Sequence, residues 1–331
     1  VNVADTPTST KWIVAGLLLG GVVVISLIVL VASLSSDGGG GTEQLAETTS
    51  TSTTLAPTSS TVREPSPPSE PENLEVSRTS LTVGGVERTA TVIAPADLPA
   101  GDRLPAVMVL HGLGVNAEAM SRVADWRTAV ARDRFVAVFP QGVNDSWNMG
   151  PCCPPANLLG VPDTAFLDAL VDDMLARPDV DPDRLYLTGF SNGALMAYAY
   201  ACARSDVLAA VAPMAGTNVT GCRPAQPLSL LHQHGDADLV VPFGGGLALG
   251  SLVSSAPFPP VRDSVAAWAA ADGCSAEPTV TLADGVERTR WEGCADGTRV
   301  EMVRIPGKGH EWPTTATYDP LAELLRFFGI G

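Results

Sequence analysis

The chain has 331 residues, enough for one large domain with appendages. Its formal net charge is −16, which argues against a nucleic-acid partner and against attraction to anionic lipid headgroups. Six cysteines, the first at Cys152, fit an oxidising compartment, and their scattered positions lack the C-x-x-C pairs of a zinc site, so no metal is expected.

Trp12 to Leu34 is 23 residues without a charge. A bilayer core needs about 20 apolar helical residues, whereas a cleavable signal carries only about 7–15. The reading is therefore a single-pass transmembrane anchor over 12–34. Lys11 before it and Asp37 after it put residues 1–11 in the cytoplasm and the remainder outside the cell. Cleavage near Val31-Ala32-Ser33 is the alternative and makes the protein secreted. Residues 35–75 are dominated by Gly, Ser, Thr, Pro and Glu, cannot bury a core, and read as a disordered stalk. The folded domain is expected over 76–331.

In that domain short apolar runs alternate with helix-forming stretches. Strands are expected at Thr89–Ile93, Ala106–Leu110, Phe135–Phe139, Leu185–Thr188, Ala209–Pro213, Leu228–His232 and Val300–Ile305. Helices are expected near Ala117–Arg132, Thr164–Ala176, Asn192–Ala203, Val261–Ala271 and Pro320–Phe328. This order implies an α/β fold, a mostly parallel sheet with helices on both faces. Thr279–Leu282 and Arg288–Trp291 read as a hairpin flanked by Cys274 and Cys294, which are expected to pair. Cys152, Cys153, Cys202 and Cys222 leave three pairings open, and a bond from Cys152 or Cys153 would tie down the loop Asn144–Pro162.

The segment Gly189-Phe190-Ser191-Asn192-Gly193 stands between an apolar strand and a helix-forming stretch. That context makes G-x-S-x-G a nucleophile elbow, whose tight turn excludes side chains at Gly189 and Gly193. Ser191 is then the nucleophile, and it needs a base and an acid that orients the base. In the chain order nucleophile, acid, base that accompanies this elbow, His310 is the base, in a loop just after a strand. Asp236 and Asp238 both follow the strand Leu228–His232, and position alone does not separate them. Backbone N–H groups of Leu113, in the loop His111-Gly112-Leu113-Gly114, and of Asn192 would form the oxyanion hole, with His111 structural. Trp147 and Trp312 are candidates for stacking on a substrate ring, with buried packing as their ordinary role.

Taken together these segments resemble the polyhydroxybutyrate depolymerase-like and feruloyl esterase-like branch of the α/β-hydrolases. The resemblance rests on His111-Gly112, Trp147-Asn148 before Cys152-Cys153, Asp163 to Asp173, Gly189 to Gly193, His234-Gly235-Asp236-Ala237-Asp238 with Val240-Val241-Pro242-Phe243, and Gly309-His310-Glu311-Trp312-Pro313. It covers about residues 76–331. It implies that Asp238 is the acid, giving a Ser191, Asp238, His310 triad that needs no cofactor, and an α/β-hydrolase fold. Lys308 stands where the family leads one to expect glycine and brings a positive charge near the base. Ala215 to Pro227 leaves no room for a large lid, so an open site for short-acyl, polyester or feruloyl-type esters is expected. Two other classes are alternatives: a metal-dependent hydrolase using His232 and His234, and a non-catalytic surface binding module. A peptide substrate would suit the same triad, and oligomeric state is not legible.

Overall fold

Apolar runs broken by Gly, Pro and Asp set ten strands. In chain order these are β1 (Leu74–Val83), β2 (Val86–Pro95), β3 (Leu104–Leu110), β4 (Val136–Pro140), β5 (Val180–Phe190), β6 (Ala210–Met214), β7 (Ser229–Gly235), β8 (Thr279–Ala283), β9 (Val286–Trp291) and β10 (Val300–Ile305). The helices are α1 (Ala117–Arg122), α2 (Trp126–Asp133), α3 (Asp163–Leu175), α4 (Asn192–Ala203), α5 (Val261–Ala271) and α6 (Pro320–Phe327). The computed structural model describes residues 71, 73–247, 254 and 256–331. The expected span over 12–34 and nearly all of the expected stalk over 35–75 lie outside the described residues. Among the described residues no helix is long and apolar enough to cross a membrane.

The strands form one sheet in the order β1-β2-β4-β3-β5-β6-β7-β10-β9-β8. The six strands from β4 to β10 run parallel, and antiparallel pairs close both edges. Side chains alternate across the sheet as the pleat requires. Met108, Leu110, Leu187, Leu230 and Met302 face α3, α4 and α5, whereas Val107, Val109, Leu231 and Val303 face α1, α2 and α6. Both faces are therefore dry, which is why the central strands read as continuous apolar runs.

Two expectations need correction. β1 was not anticipated, because Leu74–Val83 is a half-exposed edge strand with little apolar signal. It joins β2 through Gly84-Gly85, both at positive φ (59° and 79°), the geometry of a two-residue hairpin turn. The folded domain thus starts at least two residues before the expected residue 76. The single helix expected over Ala117–Arg132 is two helices, broken where Ala124 (φ 56°) and Asp125 (φ 57°) turn left-handed. The break delivers Trp126 into the core at 0 % exposure, edge-on to Phe135 and Phe139. A fully buried Trp is worth about 3–5 kcal/mol, enough to offset two strained residues at about 1–2 kcal/mol each.

Cys274 and Cys294 are paired, as are Cys202 with Cys222 and Cys152 with Cys153. Beside the Cys274–Cys294 bridge, Asp272 is fully buried, accepting from the Leu228 N–H at 3.2 Å. Burial pushes its carboxyl from 3.8 up to about 6, against the hydrogen bonds from Leu228 and Thr298. The folded state therefore holds this proton more tightly than the unfolded state. Asp272 supports stability below about pH 4 and loses that support as pH rises to about 6. Asp272→Asn should therefore gain stability relative to wild type as pH rises across that window in denaturant titrations; a difference independent of pH would contradict it.

Candidate active site

Parallel strands end on one edge of the sheet, and loops there gather side chains from distant parts of the chain. β5 delivers Ser191 at φ 55°, ψ −119°, and α4 begins at the next residue. The turn is closed to side chains: a Cβ at Gly189 would lie 2.4 Å from the Gly193 carbonyl oxygen, and one at Gly193 would lie 2.4 Å from the Leu110 carbonyl oxygen. The strained serine conformation is thus held by backbone packed on both sides.

β10 ends in the loop that carries His310, and β7 ends in the loop that carries Asp238. His310 Nε2 lies 2.8 Å from Ser191 Oγ, and His310 Nδ1 lies 2.7 Å from Asp238 Oδ2. Asp238 is 3 % exposed. Its Oδ1 accepts from the N–H groups of Val240 and Val241 at 2.8 Å each, and its Oδ2 also lies 3.3 Å from His234 Nε2. Burial alone would raise the carboxyl, but the hydrogen bonds from His234 and His310 outweigh it and hold it well below the usual carboxylate range. An ionised Asp238 can only accept, so His310 carries its proton on Nδ1 and turns the Nε2 lone pair to the Ser191 hydroxyl.

Asp236, the other aspartate of this loop, faces elsewhere. It accepts from Arg304 Nη2 at 2.7 Å and from the Gly307 N–H at 2.6 Å, clamping the β7 and β10 loops together. Gly235 permits this closeness, since a Cβ there would lie 2.2 Å from the Lys308 carbonyl oxygen. Lys308 pairs with Glu311 at 3.4 Å, so its charge has a partner within the same loop.

The Leu113 loop runs against the serine: a Cβ on Gly112 would sit 3.4 Å from the Ser191 Cβ. His111 is fully buried, its Nδ1 bonding the Gly112 carbonyl and its Nε2 accepting from the Gly142 N–H at 2.9 Å each. Burial lowers its proton affinity, in keeping with a neutral ring that shapes the loop. Asn192 opens α4, where the first N–H groups have no intrahelical acceptor. Its side chain brackets Trp147, accepting from the Trp147 N–H at 2.7 Å and donating to the Trp147 carbonyl at 3.0 Å.

Trp147 does not line an open site. It is 0 % exposed, its indole N–H donates to the His111 carbonyl at 2.9 Å, and its ring packs on His111 at 4.8 Å. Substrate stacking by Trp147 is therefore ruled out by burial. Trp312 is half-buried, edge-on to Trp126 and tilted on Phe190, with its indole nitrogen buried, so it too is largely packed inward. Phe190, which sequence reading passed over, lies 5.1 Å from the His310 ring; its place beside Ser191 in the G-x-S-x-G segment is the signal that could have found it.

The Asn144–Pro162 loop is not tied down by a long-range disulfide, because Cys152 and Cys153 bond to each other. Hydrogen bonds and one buried ion pair hold it instead. Arg88 Nη2 meets Asp163 Oδ1 at 2.7 Å, and Asp163 Oδ2 accepts from the Asn148 N–H at 2.8 Å. His232 and His234, weighed as metal ligands, bond to each other, and among the described residues no group of three or more His, Cys, Asp or Glu could hold a metal ion.

Residues 90–231 match the family model described as Esterase PHB depolymerase. "Feruloyl esterase B" of Piromyces equi is 30% identical over 235 residues, 67% of this chain and 42% of that protein. "Putative esterase NocK" of Nocardia uniformis subsp. tsuyamanensis is 34% identical over 238 residues, 66% of this chain and 68% of that protein. The chain thus spans less than half of the first relative and about two thirds of the second. An acetyl xylan esterase from Aspergillus awamori has the same fold, with a TM-score of 0.54 at 16% identity over 77% of this chain and 100% of that one. On the match to that family model and the 34% identity to a relative covered over 68% of its length, this chain belongs to the polyhydroxybutyrate depolymerase-like and feruloyl esterase-like family of carboxylic ester hydrolases.

Proposed function

We propose that this protein is a serine esterase working through an acyl-enzyme on Ser191. The observation that carries the reading is the hydrogen-bonded chain Ser191–His310–Asp238, with 2.8 and 2.7 Å links. Ser191 Oγ attacks the ester carbonyl as His310 Nε2 takes its proton. The N–H groups of Leu113 and Asn192 bind the oxyanion, each such donor being worth about 3–4 kcal/mol in the transition state. His310 returns the proton to the leaving alkoxide. Water, deprotonated by the same ring, then releases the acid. Asp238 fixes the tautomer and stabilises the imidazolium.

The substrate class we favour is a short-acyl, polyester or feruloyl-type ester. The connection from β6 to β7 holds no lid, and Leu158, Leu159 and Leu239 are 77%, 61% and 62% exposed on loops at the strand ends that carry the site. The names of the relatives, feruloyl esterase among them, support the same class. The apolar run 12–34 supports a catalytic domain anchored outside the membrane. One experiment tests both parts. The full chain is expressed, and p-nitrophenyl acetate, p-nitrophenyl palmitate and methyl ferulate are offered to washed membranes and to the medium, with and without EDTA. EDTA-insensitive turnover of acetate or ferulate in the membranes is expected. Activity in the medium alone would replace the anchor with a cleaved signal. EDTA-sensitive turnover, or none, would revive the metal or binding-module reading.

A further inference from the structure

His232 and His234 lie two residues apart on β7 and so project to the same face of the sheet, the face covered by α4. Both are 0 % exposed. Tyr198, also fully buried, reaches them from α4: its hydroxyl is 2.8 Å from His232 Nδ1. His232 Nε2 is 3.0 Å from His234 Nδ1. His234 Nε2 is 2.9 Å from the Val241 carbonyl oxygen and 3.3 Å from Asp238 Oδ2.

With one hydrogen on each ring, the direction of every proton in this chain follows from one backbone carbonyl. The Val241 oxygen can only accept, so His234 Nε2 carries a hydrogen. His234 Nδ1 is then a lone pair, which requires a hydrogen on His232 Nε2. His232 Nδ1 is in turn a lone pair, which the Tyr198 hydroxyl satisfies. Burial, with His234 adjacent, pushes His232 well below the usual histidine range, and burial pushes the Tyr198 hydroxyl up.

We propose that His234 is a positioning residue for Asp238, and that His232 and Tyr198 lock the tautomer whose single Nε2–H is shared between the Val241 carbonyl and the carboxylate 3.3 Å away. The inference rests on the esterase reading above. It explains a set of buried polar groups that the triad does not itself use. Ser191 precedes α4, Tyr198 lies on it, and the chain returns through β7 to Asp238 and His310. Nucleophile and acid are thus joined from two directions. The titratable neighbours of Asp238 are His234 and His310; the other nearby charges are the Lys308–Glu311 and Asp236–Arg304 pairs. Part of the carboxylate charge is shared with His234, so removing that donor leaves more of it acting on His310.

The test is the pH dependence of p-nitrophenyl acetate hydrolysis by the full chain as wild type, His234→Phe, His234→Gln and Ser191→Ala. Loss of one hydrogen bond to a charged group should lower kcat roughly tenfold and move the acid limb of kcat/KM up by about half a unit in His234→Phe, with KM little changed. Gln can restore a donor at the Nε2 position, so His234→Gln should stay within about threefold of wild type. Wild-type behaviour of His234→Phe, or equal losses in both variants, would overturn the proposal. Should His234→Phe not fold, 15N NMR of histidine-labelled wild type decides it: an Nε2–H tautomer at both His232 and His234 is required, and an Nδ1–H tautomer at either overturns it. An inactive Ser191→Ala beside an unaltered His234→Phe sinks this inference alone, whereas an active Ser191→Ala sinks the triad itself.

Discussion

Ser191→Ala should lower kcat/KM for p-nitrophenyl acetate by at least about a thousandfold while leaving the fold intact. The loss is this large because, on the proposed mechanism, Ser191 is the nucleophile held against the base. His310 Nε2 has Ser191 Oγ as its partner at 2.8 Å, and removing the oxygen leaves bulk water to attack without a fixed position. On the proposed mechanism, residual rate would come from the N–H groups of Leu113 and Asn192 polarising a bound carbonyl. The fold should persist because the strained backbone at φ 55° is held by its neighbours, and alanine adds no atom to the turn. Turnover by purified variant and wild type, with matched circular dichroism, measures this. Equal turnover would remove Ser191 from the mechanism.

The second large effect separates two aspartates in one turn. Asp238→Asn should cost about 10⁴ in kcat, because an amide nitrogen facing His310 favours the opposite tautomer, which points a hydrogen at Ser191 instead of a lone pair. The change also sets two donors against each other, since His234 Nε2 lies 3.3 Å from the same Oδ2 atom. Asp236→Asn removes only the clamp to Arg304 and the Gly307 N–H. Its expected cost is about 1 kcal/mol of stability, with kcat little changed. Steady-state kinetics and thermal unfolding of both variants give the answer. If Asp236→Asn were the inactive one, the acid would have to be reassigned and the inference about His234 would fall with it.

Several of these features were legible in the residues because their causes are local. A nucleophile elbow needs small residues at fixed spacing between a strand and a helix, and Gly189 to Gly193 carries that signal whole. Strands buried on both faces read as apolar runs, so β3 to β7 and β10 were each anticipated, as were α4 and α5. A family resemblance carried by the same stretches then singled out Asp238. β1 escaped because an edge strand buries little and leaves a weak pattern. The break at Ala124 and Asp125 escaped because its cause is the distant pocket that receives Trp126.

By itself the sequence determined the alternating α/β order, the elbow with its serine, the histidine loop after the last strand and the Cys274–Cys294 pair. Each of these depends on a chain segment and its immediate neighbours. Only the tertiary structure decided how Cys152, Cys153, Cys202 and Cys222 pair, that Asp236 turns to Arg304, that Trp147 is buried behind Asn192, and that His232 and His234 form a chain to Tyr198. Those outcomes depend on where side chains from strands far apart in sequence point once the sheet is assembled. The spacing of residues along a chain does not encode that direction until packing on both faces of the sheet has chosen it.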